Sequence, residues 1–374
     1  MPRTLFAVLF VVMFSSLSAC GGGGDSDYPD FDNPGAPATL SLAPENTGDG
    51  WITSTPAAEG LDAASLGSLM NSIRDGHFPG VDGVVVARNQ RLVAEAYFNG
   101  FDRETVHELR STGKSLISTL VGLADDQGLL ELDDTLAQHV PDFENHRNMD
   151  ANKRAITLRH LLNMSGGLDC NDWLSSSPGH EEKMYDSRDW IAFVLNLRAI
   201  AEPGTQASYC TGGVVLLAHV VSLRSGMRLE DFANQWLFAP LNIQKAEWRY
   251  SPDGRATGAT GSGLRPRDAA KLGALFANEG VWNGVRVISE DWVMRSRQRA
   301  TTLGNQGYGL LWWKRSFVHG GNEIQTVYAS GNGGNYVFIV PSHELVVAFS
   351  GSNYNSPRSE TPHQLMPLVL NALR

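Results

Sequence analysis

The sequence predicts a mixed α/β (α+β) fold in which one antiparallel sheet is assembled from both ends of the chain, with helices on its faces and a helical lobe to one side. Three observations predict it. Strand-like apolar runs occur near residues 83–98 and again beyond residue 308, the stretch between them reads mainly as helices and loops, and no internal repeat interrupts that order. The 374 residues are 42% hydrophobic and 19% charged, an ordinary globular composition that can bury a large core.

At the N-terminus, Arg3 precedes an apolar run from Leu5 to Phe14, and small residues follow as far as Ala19. That layout reads as a signal peptide over residues 1–19, and the run is too short to span a bilayer as a stable helix. Leu17-Ser18-Ala19-Cys20 resembles the lipobox of bacterial lipoproteins, in which cleavage leaves the cysteine as a lipid-modified N-terminus. A flexible, lipid-anchored tether is then expected over residues 20–55, with its Gly run and acidic, Pro-containing stretch reaching about Pro44, and a single catalytic domain over residues 56–374. These features place the protein outside the cytoplasm, facing periplasm or exterior, and touching a bacterial membrane only through Cys20. The plain alternative is an ordinary signal peptide with an incidental cysteine.

Within the domain, a short helix is expected at Ala63–Arg74, followed by a β-hairpin of Gly83–Ala87 and Arg91–Phe98 turning at Asn89-Gln90. From Ser111, the residues Leu116, Ile117, Leu120, Val121 and Ala124 recur at helical spacing until Gly128. Residues 129–241 read as helices and loops, including a buried helix at Val214–Ser225 closed by Gly226. A helix from Ala269 through Phe276 precedes strand-like runs at Tyr308–Trp313, Gln325–Ala329, Asn335–Val340 and Leu345–Phe349, and a helix at His363–Leu373 closes the chain.

Charge and cysteine content narrow the function. The formal net charge is −10, and no clustering of Lys and Arg stands out along the chain, which argues against a nucleic-acid partner. With Cys20 assigned to a lipid, Cys170 and Cys210 remain in an exported domain, where they form either a disulfide or two buried thiols.

The chemistry centres on Ser111-Thr112-Gly113-Lys114, the one place in the chain where a Lys follows a Ser by three residues. On a helix this spacing puts both side chains on one face, so a neutral amine can accept the serine proton. A helix N-terminus also favours negative charge developing beside it.

The surrounding tracts carry a resemblance. Arg110-Ser111-Thr112-Gly113-Lys114-Ser115-Leu116, Ile156 to Leu168, Gly204-Thr205 with Tyr209-Cys210-Thr211, Gly263 to Asp268, Trp282-Asn283-Gly284 and Ser330 to Gly334 together resemble the serine β-lactamase-like hydrolases, a family that includes class C β-lactamases, DD-peptidases, carboxylesterases and 6-aminohexanoate oligomer hydrolases. The resemblance runs from about Ala63 to the C-terminus. It implies the β-lactamase/DD-peptidase-like fold, Ser111 as nucleophile, Lys114 as base, and Tyr209 as the tyrosine of a Y-x-N motif that relays protons. Thr211 stands where that motif normally has Asn. The third motif, K-T-G or H-x-G, aligns with Ala329-Ser330-Gly331, so its cation is absent, which points away from penicillins and towards esters or amides lacking the carboxylate. The resemblance further implies an oxyanion hole formed by the backbone N–H groups of Ser111 and Asn332. Gly333 and Gly334 fit a backbone that bends close to a ligand, with a simple turn as their competing reading. Trp173, Tyr185, Trp190 and Trp313 are candidates for an aromatic wall, with core packing as their competing role.

Other chemistries fit poorly. A phosphate-binding loop ending at Gly113-Lys114 would need its opening Gly at Glu108, no G-x-S-x-G is present, and the His and Cys spacing implies neither metal nor cofactor. The expected partner is a small ester or amide. Two alternatives stay open: a catalytically silent binding protein of the cell envelope on the same fold, and a β-lactamase or DD-peptidase proper.

Overall fold

The computed structural model describes residues 39–374; the expected signal peptide, Cys20 and the first part of the tether lie outside the described residues. Strands β1 (Thr39–Ser41), β2 (Ile52–Thr53), β3 (Val81–Arg88), β4 (Arg91–Tyr97), β5 (Thr301–Leu303), β6 (Gln306–Gly309), β7 (Trp312–His319), β8 (Asn322–Gly331), β9 (Asn335–Val340) and β10 (Leu345–Gly351) form one sheet. Its order is β1-β4-β3-β10-β9-β8-β7-β6-β5, antiparallel throughout apart from β2, which runs parallel along β4. The sheet thus joins the two ends of the chain through the β3–β10 pairing, where Val347 lies opposite Val86.

Among the described residues, the helices of eight residues or more are α1 (Ala63–Arg74), α2 (Gly113–Asp126), α3 (Thr211–Ser225), α4 (Pro266–Ala277), α5 (Glu290–Arg297) and α6 (Thr361–Leu370). Strand alternation divides the core. Val84, Val86, Phe338 and Val347 face α1 and α6, whereas Val85, Ala87, Val337 and Val346 share the larger core with α2, α3 and α4. Capping is local and readable: Asp62 accepts the Ser65 N–H at 2.7 Å to start α1, and Gly226 at φ 67° ends α3. The Asn89-Gln90 turn has both residues at positive φ, 52° and 61°, as a tight two-residue hairpin requires.

Three expectations need correction. The run Tyr308–Trp313 is two strands, β6 and β7, folded at Leu310-Leu311, whose φ values are 46° and 63°. Contacts from remote sequence impose that turn. Asn163 Oδ1 accepts the Leu310 N–H at 2.9 Å, Leu162 accepts that of Leu311 at 2.8 Å, and both leucines are buried. Next, residues 39–55, expected in the tether, pack onto the domain: β1 and β2 cover the outer edge of β4, and the buried Trp51 donates its Nε1–H to the Arg267 carbonyl at 3.1 Å. Backbone pairing of so short a strand leaves no periodic trace in sequence. Finally, basic residues do cluster once folded, because Arg297, Arg299, Lys314 and Arg315 surround one cavity.

Candidate active site

Ser111 sits in a 3₁₀ turn, Arg110–Thr112, that leads directly into α2. The turn is held under strain and from both sides. Arg110 has φ 48°, a left-handed conformation uncommon outside glycine, and is tied by an ion pair to Glu108 at 2.7 Å. Thr112 Oγ1 donates to the Asn335 carbonyl at 2.6 Å, which anchors the turn to the start of β9. Strand β8 passes so close that a Cβ on Gly331 would lie 2.2 Å from the Leu109 carbonyl oxygen. Glycine is required there for approach, independent of its backbone angles.

Lys114, on the first turn of α2, is almost fully buried, and its Nζ lies 2.9 Å from Ser111 Oγ and 3.3 Å from the Ala259 carbonyl. The same Nζ lies 5.1 Å from the centroid of the Tyr209 ring. Tyr209 is gripped between two indoles, Trp173 at 5.6 Å and Trp313 at 5.9 Å, both stacked. Burial pushes its phenol above the ordinary tyrosine range, against the pull of the Lys114 charge and of a hydrogen bond with Ser111. Trp173 and Trp313 therefore line the cleft, whereas Tyr185 and Trp190 pack behind it against each other and Arg249.

The Tyr209 segment is fastened to the loop bearing Trp173. Cys170 and Cys210 form a disulfide with Cα atoms 5.5 Å apart, Ser208 Oγ donates to the Cys170 carbonyl at 2.6 Å, and the Asp172 N–H donates to the Tyr209 carbonyl at 2.9 Å. Asp172 also accepts the Thr211 N–H at 2.6 Å, where α3 begins. Glu181 accepts from the hydroxyls of Tyr185 and Thr211 at 2.8 and 2.9 Å.

These two carboxylates were not singled out in the sequence, and they behave differently. Burial and the neighbouring Glu181 charge raise Asp172, opposed by Lys114 and Thr211. Burial also pushes Glu181 up, but Lys114 and the two hydroxyls outweigh it and leave that carboxyl below its usual range. The signal for Asp172 was its pairing with the start of a helix about forty positions away, which no local motif reports.

The cleft has a volume of about 460 Å³. Besides the residues above, its walls include Gln306, Tyr328, Ser330, Asn332, Tyr336 and Glu360. Asn332 turns its side chain away, donating to Asn355 Oδ1 at 2.7 Å and accepting the Asn355 N–H at 2.9 Å, so its backbone is the part held beside the cleft. Gly333 and Gly334 follow at φ 96° and 98°. Ser330, at the expected third-motif position, faces the cleft, and none of the lining residues is Lys or Arg. His363, at the far wall, is pushed down to about 4 by burial and is neutral at pH 7, so it supplies no cation.

Residues 58–365 match the Beta-lactamase family. A 6-aminohexanoate-dimer hydrolase of Paenarthrobacter ureafaciens is 25% identical over 312 residues, which cover 77% of this chain and 76% of that one. Among solved structures, EstCE1, a hydrolase with promiscuous acyltransferase activity, superposes with a TM-score of 0.68 at 18% identity over 85% of this chain and 99% of its own. A class C beta lactamase from Rhodobacter sphaeroides gives 0.62 at 18% identity over 83% and 99%; at such identities the likeness speaks for the fold alone. Since the family match reaches from α1's approach to α6, taking in both halves of the sheet and the helix that follows Ser111, the chain belongs to the beta-lactamase family of serine hydrolases.

Proposed function

We propose that the protein cleaves an ester or amide through an acyl-enzyme on Ser111, with Lys114 as base and Tyr209 as proton relay. The observation that carries this reading is the 2.9 Å contact between Lys114 Nζ and Ser111 Oγ beneath the Tyr209 ring. In the reaction, Lys114 takes the serine proton while Ser111 attacks the carbonyl. The oxyanion is held by the N–H groups of Ser111 and Asn332, and Tyr209 protonates the departing alcohol or amine and then helps activate the deacylating water.

The cleft's charge supports a preference among acyl donors. Asp172, Glu181 and Glu360 line it, the third motif offers Ser330 in place of a cation, and a substrate carboxylate would find repulsion there. Neutral esters and amides therefore fit better than penicillins. Export and anchoring through Cys20 belong to the same proposal, resting on the order of parts in residues 1–20.

The test is mass spectrometry and turnover with a fluorophosphonate, p-nitrophenyl acetate and nitrocefin, comparing the protein with S111A. Adduct on Ser111 and ester turnover that outpaces nitrocefin turnover are expected, with both adduct and turnover lost in S111A. A protein whose Ser111 resists every reagent is a silent binding module instead.

A further inference from the structure

On the opposite side of the β5–β6 hairpin from the catalytic cleft lies a second hollow of about 540 Å³. Its walls include Arg297, Arg299, Lys314 and Arg315, and not one of its lining residues is Asp or Glu. In a chain with 40 acidic and 30 basic residues this is a local inversion of charge. Strand register explains how it forms. Lys314 on β7 lies opposite Gly307 on β6, and a Cβ at Gly307 would stand 3.2 Å from both Arg299 Cδ and Lys314 Cβ. The stems of two cations thus cross the same glycine side by side.

Their compensation is uneven. Arg297 approaches Glu279 at 4.0 Å and donates to the Phe276 carbonyl at 2.6 Å, and Arg299 donates to the Thr302 hydroxyl, while among the described residues Arg299, Lys314 and Arg315 have no carboxylate within ion-pair distance. Lys314 spends two of its three N–H donors on the carbonyls of Gly309 and Trp312, at 2.7 and 2.9 Å, leaving one. Burial alone pushes its amine down to about 7, as for an amine held out of water without a counter-ion. An anion in the hollow would supply the counter-charge that these residues lack.

We propose that this hollow binds a multivalent phosphoryl group carried on a small molecule or a headgroup. Arginine forks match phosphoryl oxygens in pairs and the lysine adds a point charge. The volume exceeds what one inorganic phosphate fills and suits a larger body bearing it. Asn305 and Gln306 line both this hollow and the cleft, and Gln306 receives the Tyr328 hydroxyl, so an occupant would brace the turn that forms one lip of the catalytic cleft.

The experiment titrates the purified protein with inorganic pyrophosphate by calorimetry and, separately, measures co-sedimentation with phosphatidylglycerol and phosphatidylcholine vesicles. Two variants accompany it. R299Q/R315Q removes charge at two exposed positions, and G307A crowds the stems of Arg299 and Lys314 without changing charge; thermal unfolding checks that both stay folded. Saturable pyrophosphate binding, weakened ~10-fold or more in R299Q/R315Q and measurably in G307A, is expected. Binding of pyrophosphate alone identifies a soluble phosphoryl ligand, and binding that also extends to phosphatidylglycerol but not phosphatidylcholine vesicles identifies a headgroup. Absence of saturable binding to either probe, or binding that both variants leave unchanged, overturns the site.

Discussion

Tyr209 holds its ring between two tryptophans and its hydroxyl beside Ser111, so the two parts of the side chain can be separated by experiment. Tyr209→Phe keeps the stack and removes the oxygen. For a proton relay, kcat on p-nitrophenyl acetate should fall roughly 10²–10⁴-fold, with KM and the thermal midpoint little changed. A variant that keeps its kcat would show the tyrosine to be packing only. At this scale, Ser111, Lys114 and Tyr209 were legible because each sits in a short run of neighbours. Asp172, Glu181 and Gln306 were not, since what places them in the cleft is contact with residues remote in sequence: Asp172 with Thr211, and Gln306 with Tyr328.

Among elements, the disulfide decides how firmly the Trp173 loop is bound to the start of α3. Cys170 and Cys210 are separated by 40 positions, and closing a loop of that length restricts the unfolded chain by about 4 kcal/mol in the chain-entropy view. Urea unfolding of C170S/C210S should show a loss of roughly 2–4 kcal/mol. Ester turnover should fall as well, because the loop that stacks on Tyr209 loses its covalent tie; unchanged stability would mean that hydrogen bonds alone fix the loop. The strong elements, α2, α3 and the β3–β4 hairpin, could be read from periodicity and turn residues. The β6–β7 bend could not. Leucine at positive φ runs against local preference and is held there by Leu162 and Asn163.

For the molecule as a whole, the latter part of the expected tether, residues 39–55, belongs to the fold's closure. Trp51 is 3% exposed, meets Trp282 edge-on at 4.9 Å and bonds to the Arg267 carbonyl. Trp51→Ala should cost roughly 3–5 kcal/mol in urea unfolding, a core-sized effect from a residue that composition assigns to a linker. A loss below about 1 kcal/mol would show the segment to be only loosely attached. The other end of the chain closes on the opposite face of the sheet, with the Arg374 N–H donating to the Gly60 carbonyl at 3.1 Å and Leu373 bridged to Leu61.

That closure sets an order of events during synthesis. The strands made last, β9 and β10, are the ones that sit mid-sheet, between the β3–β4 hairpin made early and the β5–β8 meander made just before them. A nascent chain halted at residue 334 therefore carries two half-sheets, each with an open apolar edge and no bridge between them. Such a chain lacks the strands that join its two halves, so the sheet can close only once β9 and β10 are made, through distant pairings that are slow to find. A chain cut after residue 334 should therefore aggregate, read by light scattering, and show no ester turnover.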